Sequence, residues 1–514
     1  MKILICGGGT AGWLAALMIA KAQRHSHNIT VVESSKIGII GAGEGSTGYL
    51  TDIILGTNYD YGCNERDFLV ETNATVKLGI HHKSWQDVGV DYIAPIDTSA
   101  AQSLIDYTVL HAIANDFPVH LSSIDGFLIE KSKSSFMMLE ENKLENIRSH
   151  AYHFDAHLVG KYFKKVCGDS VNTIDSEIID ITLTEDGSVK EIKLANGQTI
   201  EADFFIDCTG FKKLFAKKLN VNWISYSKNL PVNRAMPFLL DYEDNEEIKP
   251  VTTAWAQSAG WMWQIPTQTR KGCGYVYCSD FISDDDAHAE IEKLLGRSVD
   301  PIKVLNFDTG RQEKLWHKNC LFLGLCAAFA EPLEATSIHS TIVQLQSFIF
   351  SYLKDTKQET CNDGSINVYN KRMSRMYDDF KDFLNLHYMT NRKDSKFWLW
   401  MQTRETITET SANILEMQKY RTLQASDIDN YHGYAGASLY NWILAGLGYL
   451  NKEIAVKELA FFGDTDKAAL IWKLHQDRFF QIADTMIDNT DFIKNLNKYL
   501  HGTVLHKHTN CSSW

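Results

Sequence analysis

Within its first twelve residues the chain carries Gly7-Gly8-Gly9-Thr10-Ala11-Gly12, a G-x-G-x-x-G pattern. The flanks decide what this turn can be. Lys2–Cys6 is a short apolar run that suits a buried parallel strand, Thr10–Gln23 has helical apolar spacing, and Asn28–Glu33 reads as a second strand. That is a βαβ unit. In such a turn Gly7 allows the tight reversal, Gly9 lets the backbone approach a pyrophosphate, and Gly12 lets helix and strand pack closely. The phosphates would lie at the positive helix start, at Thr10 and Ala11. Glu33, 21 residues beyond Gly12, is placed to accept hydrogen bonds from a ribose. A chance glycine-rich turn would not bring strand, helix, second strand and acid into register.

The fingerprint alone does not separate NAD from FAD. Two later segments favour FAD. Gly41-Ala-Gly-Glu-Gly-Ser-Thr47 is a second glycine-rich stretch, with Gly43 and Glu44 as cofactor-side candidates, and Asp203–Gly210 is an apolar strand closed by a small turn. Such returning segments would contact the rest of a long cofactor.

The chain has 514 residues, enough for about two to four domains. Its formal charge of -13 argues against nucleic acid or an anionic membrane as partner, since both require a basic footprint. The most apolar runs, 321–330 and 442–450, fall short of the roughly 18–20 residues that span a bilayer. The glycine cluster interrupts what would otherwise resemble the apolar core of a signal peptide. Ten cysteines show no C-x-x-C pair and no zinc spacing with histidine, so the sequence implies no metal and reads as a reduced, cytoplasmic protein.

Farther along, Ile178–Glu201 reads as a small antiparallel strand set with turns at Asp186-Gly187 and Asn196-Gly197. Proline is absent from 333 to the end, and from about residue 340 the pattern turns helical. The expected organisation is a core over 1–345 containing a substrate-side sheet insertion, then a mainly helical region over 346–514.

Three segments carry a family resemblance. Gly260-Trp261-Met262-Trp263-Gln264-Ile265-Pro266 is a W-x-W-x-I-P pattern whose two tryptophans would share one face of a strand. Gly324–His339 contains Glu334 in an apolar stretch, followed by Thr336 and Ser337 at a helix start, a plausible anion site on physical grounds. Asn73-Ala-Thr-Val-Lys77-Leu-Gly-Ile-His-His-Lys-Ser-Trp85 places Lys77 on an apolar strand, on one face with Thr75 and Gly79, where an amine is costly without a partner. Taken with Ala151–Asp155, Asn233-Arg234-Ala235, Gly310-Arg311, Asp382–Tyr388 and a weaker trace at Tyr440–Tyr449, the chain resembles the flavin-dependent tryptophan halogenases.

That resemblance implies an α/β fold: an FAD-binding Rossmann-type core, like that of single-component flavoprotein monooxygenases, with a sheet insertion and a helical C-terminal region. It implies Lys77 as the catalytic lysine and Glu334 beside it. The backbone N–H groups of Thr336 and Ser337 would hold halide, and Trp261, Trp263, Pro266 and Leu325 would lie on the cofactor side. Reduced FAD (FADH2) would come from a separate NAD(P)H-dependent flavin reductase, because no second nucleotide fingerprint is present, with halide and O2 as co-substrates. The reaction would be halogenation of an electron-rich aromatic, by hypohalous acid guided to Lys77. Homo-oligomerisation stays open.

Three departures matter. Leu325 stands where related hydroxylases usually carry aspartate, and Ala335 replaces the family's common serine. The stretch Tyr92–Leu104 also lacks the His-Pro-Phe-type clamp for free tryptophan, so an indole or a phenol is as good a substrate. The His81-His82 pair does not read as metal ligands, because adjacent strand residues point to opposite faces. Two other readings are a single-component FAD hydroxylase using NAD(P)H and a non-catalytic FAD-binding protein.

Overall fold

The computed structural model describes residues 1–22, 26–38, 41, 44–96, 106–140, 143–146, 150–431 and 433–496. They form two compact units, each assembled from three stretches of chain. The first comprises Met1–Thr72, Phe154–Pro231 and Phe307–Lys381; the second comprises Asn73–His153, Val232–Asn306 and Asp382 onward.

The first unit is built on a six-stranded sheet. The expected elements are present as β1 (Lys2–Cys6), α1 (Thr10–Ala22) and β2 (Asn28–Glu33). The sheet runs Asn172–Asp175, β2, β1, Phe204–Asp207, Cys320–Phe322, Trp316–His317, and every pairing is parallel except the last. Strands covered on both faces should read as continuous apolar runs rather than alternating ones. Ile3–Cys6 and Phe204–Ile206 do so, at 0 or 1% exposure. Each such aliphatic side chain contributes about 1.5–3 kcal/mol by leaving water. In α1, nine consecutive residues from Gly12 to Ala20 are buried, as in a helix enclosed on all sides. Two further helices matter to the site, α2 (Ala156–Cys167) and α3 (Thr336–Ser347). The small antiparallel set is also present, as Ile178–Leu183, Val189–Leu194 and Thr199–Glu201. Its turn glycines, Gly187 and Gly197, both have φ in the left-handed region.

The second unit is built on a mostly antiparallel seven-stranded sheet. In chain order its relevant strands are β3 (Thr75–Lys77), β4 (Gly79–Asp87), β5 (Val90–Pro95), β6 (Val251–Gln257), β7 (Gly260–Pro266) and β8 (Lys271–Tyr277). The sheet order is Leu305–Asn306, Arg234–Leu240, β8, β7, β6, β4, β5, while β3 pairs instead with residues 151–153. The one parallel pairing, β6 with β4, sets Val251 opposite Gly79 and Trp255 opposite Lys83. Aromatic and β-branched residues dominate these strands, the composition that suits a pleated surface.

Beyond residue 336 the described chain is mainly helical, as its missing prolines led one to expect, with one short strand at Met486–Asp488. Its helices include α4 (Ala437–Gly446). The described cysteines are all free thiols; Cys511 lies outside the described residues. Among the described residues no helix is long and apolar enough to cross a membrane.

Candidate functional site

In the first unit the candidate residues begin at the glycine turn. Gly7 has φ 118°, its N–H donates to the Val32 carbonyl at 2.8 Å, and a Cβ there would lie 2.2 Å from the Cys208 carbonyl oxygen. At Gly12 an added Cβ would come within 1.9 Å of the Gly7 carbonyl oxygen. Gly9 differs: nothing lies within 4 Å of the position its Cβ would take. Two glycines therefore close the turn on itself and the middle one leaves its outer side open. This suits a pyrophosphate at the start of α1, beside Thr10 and Ala11. The residues present fit a dinucleotide cofactor.

Glu33, at the end of β2, is held in place. Its carboxylate accepts from Trp13 Nε1 at 3.0 Å and pairs with Lys164 Nζ of α2 at 2.6 Å. Glu44 begins a two-residue strand, and burial, with the Asp155 carboxylate as a second cause, pushes its carboxyl up to about 7. Gly43 lies outside the described residues. At the edge of the turn, Gly324 has φ 62° and a Cβ there would come within 2.8 Å of Ala11 Cβ. Half-buried Leu325 follows in the single turn Gly324–Cys326.

The start of α3 has the shape of an anion site. Ala335 takes up the left-handed conformation (φ 55°, ψ 34°), and the helix begins at Thr336. The N–H groups of a first helical turn have no partner within the helix and carry its positive dipole end. Thr336 is 6% exposed, and Glu334, immediately before the reversal, is 1% exposed. Behind this turn, His339 Nδ1 and Thr47 Oγ1 share a buried 3.0 Å hydrogen bond, and the His339 ring contacts Tyr49 at 4.3 Å. Sequence reasoning passed over both residues. The one available signal was the Ser46-Thr47 pair that closes the second glycine-rich stretch.

In the second unit the candidate residues centre on β3. Lys77 is 1% exposed, pairs across the ladder with Ala151, and lies diagonally from His153, which faces Thr75. Its strand is fixed at both ends by Thr75 Oγ1 donating to the Pro266 carbonyl and Leu78 N–H donating to the Pro250 carbonyl, each at 2.7 Å. His153 is held well below the ordinary histidine range, first by burial and then by the Lys77 charge. Its Nε2 meets Thr252 Oγ1 at 2.8 Å.

The two tryptophans of the W-x-W pattern are both buried on β7, with rings 6.4 Å apart. Trp263 lies over Gly274, where a Cβ would come 2.2 Å from its ring, and Trp261 packs against Trp85 at 6.1 Å. Pro266 ends the strand. His81 and His82 do point to opposite faces of β4. His81 is partly exposed and pairs with Asp91 at 3.0 Å, whereas His82 is fully buried. The structure thus brings Lys77 together with His153 in one unit, and the glycine turn, Glu33 and α3 belong to the other.

Comparison with known proteins decides the class. The family model for tryptophan halogenase matches residues 2–459. The chain belongs to the tryptophan halogenase family. Among its relatives is the 7-chloro-L-tryptophan 6-halogenase KtzR of Kutzneria sp. strain 744, 29% identical over 96% of this chain and 98% of that protein. Among solved structures, the tryptophan C-6 flavin-dependent halogenase Tar14 of taromycin biosynthesis superposes with a TM-score of 0.86. It is 26% identical, covering 97% of this chain and 98% of its own. BrvH, a flavin-dependent halogenase from Brevundimonas sp. BAL3, gives 0.81 at 27% identity, with 96 and 98% coverage. The chain is an enzyme of this flavin-dependent, oxidoreductase type, and its fold is the mixed α/β fold of these proteins with a helical C-terminal region.

Proposed function

We propose that this enzyme halogenates an electron-rich aromatic of indole or phenol type, using FADH2, O2 and halide, with Lys77 as the group that delivers the electrophile. The observation that carries the reading is the burial of Lys77, 1% exposed on a strand of apolar residues. A buried amine is costly to maintain, and its retention is best explained by chemistry.

When bound, reduced FAD supplies the electrons with which oxygen converts halide to hypohalous acid. That product is small and indiscriminate, so selectivity requires one receiving group. Lys77 receives it, as an ammonium donating a hydrogen bond or as an amine taking the halogen. Glu334 orients Lys77, polarises the electrophile or removes the proton from the halogenated ring. The first N–H groups of α3, from Thr336 and Ser337, hold the halide. The glycine turn, Thr10, Ala11, Glu33 and Glu44 hold the cofactor, with Trp261, Trp263, Pro266 and Leu325 on its side, and a separate flavin reductase supplies it reduced.

KtzR and Tar14 are named for action on a tryptophan. In this chain the sequence of the clamp region differs, and the wider class of indoles and phenols is the proposed range.

One assay tests the reading: enzyme, FADH2, oxygen, bromide and a mixture of indoles and phenols, read by mass spectrometry for the bromine isotope doublet. Brominated product supports it. Hydroxylated product with NADPH alone would make the chain an aromatic hydroxylase, and flavin binding without turnover would make it a non-catalytic flavin protein.

A further inference from the structure

Lys213 follows the turn Gly210–Lys212 and takes the left-handed conformation (φ 52°, ψ 47°) just ahead of the short helix Leu214–Lys218. Its side chain ends over the indole of Trp223, with Nζ 2.9 Å from the ring centroid. Among the described residues that Nζ has no ion-pair partner and donates no hydrogen bond. Lys164, which also lies over an indole, is tied instead to Glu33. Burial, the largest cause, pushes the Lys213 amine down to about 8; Cys326 and Asp308 pull it the other way, and Lys217 adds to the fall. About one such amine in ten is neutral at pH 7, against about one in a few thousand for an ordinary lysine. The neutral amine, with its free lone pair, is the nucleophile.

The indole is fixed by its strand. Trp223–Ser225 pairs with Gly310–Gln312, and a Cβ at Gly310 would come 2.6 Å from Trp223 Nε1. That N–H is buried and finds no acceptor, so what the ring offers Lys213 is its π face. Both residues are half-buried, which leaves the pair within reach of a small solute. It also stands close to the cofactor turn. Gln312, opposite Trp223 in the ladder, donates through Nε2 to the Cys326 carbonyl at 3.0 Å. The same Gly324–Cys326 turn brings Gly324 against Ala11, where an added Cβ would come within 2.8 Å of the alanine Cβ. All of these residues belong to the first unit.

Resting on the halogenase reading above, we propose that Lys213 and Trp223 form a site of self-halogenation, at which hypohalous acid that escapes Lys77 is taken up by the Lys213 amine and passed to the indole under it. The amine lone pair attacks the halogen of hypohalous acid; hydroxide leaves and joins an N–H proton as water. An indole carbon then attacks the halogen of the new N–halogen bond, whose electron pair returns to nitrogen. The ring carbon loses its proton and the nitrogen takes it, which restores the amine. Electrophilic substitution requires approach to the π face, and Nζ over the ring centroid supplies that approach without a search.

Wild type, Lys213→Leu and Lys213→Arg are turned over with FADH2, oxygen and bromide but no aromatic substrate, then digested, and the tryptophan peptides are read by mass spectrometry for the bromine doublet. In wild type the Trp223 peptide should carry bromine about fivefold or more above any other tryptophan peptide. Both variants should lose about tenfold or more of that bromine, since leucine has no amine and arginine keeps its cation over the ring without releasing a proton. Bromination of a soluble 1,3-dione, which traps free hypobromous acid, should stay at the wild-type rate in both, showing that each is folded and makes the same oxidant. Undiminished bromination of Trp223 in Lys213→Arg would overturn the proposal. So would an unmodified Trp223 in wild type that brominates the dione. An equimolar dose of reagent hypobromous acid, given to the three proteins without turnover, should reproduce the same pattern and keeps the two readings apart. If wild type in turnover brominates neither dione nor itself, the halogenase reading fails, while the reagent pattern still decides the lysine–indole pair.

Discussion

Lys77 and His153 lie diagonally across one antiparallel ladder, both buried, and the lysine's charge adds to burial in keeping the histidine neutral. Diagonal neighbours on one face of a strand pair are within reach of each other's fields. Two cations side by side in that environment would be costly, so a charge on Lys77 disfavours one on His153.

A pH dependence follows. His153 has its folded-state value below its unfolded one, so the stability it contributes is complete above about pH 6.5 and is lost as the pH falls below that. Each pH unit over which native His153 stays neutral while unfolded chains protonate removes about 1.4 kcal/mol. In Lys77→Met the opposing charge is gone, and His153 should titrate at higher pH, though still below an exposed histidine. Urea unfolding between pH 7 and 5 should then show a shallower acid loss than wild type. Identical slopes would contradict the coupling.

The glycine turn separates a structural glycine from a ligand-facing one. Gly12→Ala places a methyl against the Gly7 carbonyl, and should destabilise the chain by about 3 kcal/mol or lower its yield as folded protein. Gly9→Ala meets no protein atom. Its stability without flavin should stay within about 0.5 kcal/mol of wild type, while FAD affinity falls by about tenfold or more. Thermal unfolding and flavin fluorescence titration measure the two effects. Equal loss of stability in both variants would argue against an open face at Gly9.

The local elements of this turn were legible because their signals are local. The run Lys2–Cys6 suits a buried strand, Gly7 ends it, and Asn28–Glu33 is the second strand; the structure contains both. The alternation of Trp261 and Trp263 likewise placed both on one strand, β7. What the sequence could not convey was pairing at a distance. Nothing in residues 79–83 announces a parallel partner at 251–255, yet that pairing joins the strand after Lys77 to the strand before the tryptophans. Adjacent strand positions keep His81 and His82 from acting as a pair, and the two do face opposite sides of β4. The enclosure of His82 by Tyr92, Trp85 and His387 depends on residues 3 to 305 positions away and on the close approach of Gly446 in α4 to Tyr92, none of it periodic.

Glu44 supplies a second pH signature, of opposite sign. Its carboxyl is raised from 4.5 to about 7, so the folded chain holds the proton more tightly than the unfolded one, and stability falls as pH rises through that interval. Glu44→Gln removes the cost of ionisation. The flavin-free variant should match wild type near pH 5 and exceed it at pH 8 by on the order of 2 kcal/mol. A difference that is the same at both pH values would show that Glu44 is not strained by its burial.

The most direct test of the chemistry is Lys77→Ala, assayed with FADH2, oxygen and bromide in two parallel reactions. One contains the aromatic substrate and the other contains a 1,3-dione that captures free hypobromous acid. With Lys77 as the delivering group, flavin binding and dione bromination should stay near wild type while aromatic bromination falls by about a hundredfold or more. Aromatic bromination at the wild-type rate in Lys77→Ala would contradict the account.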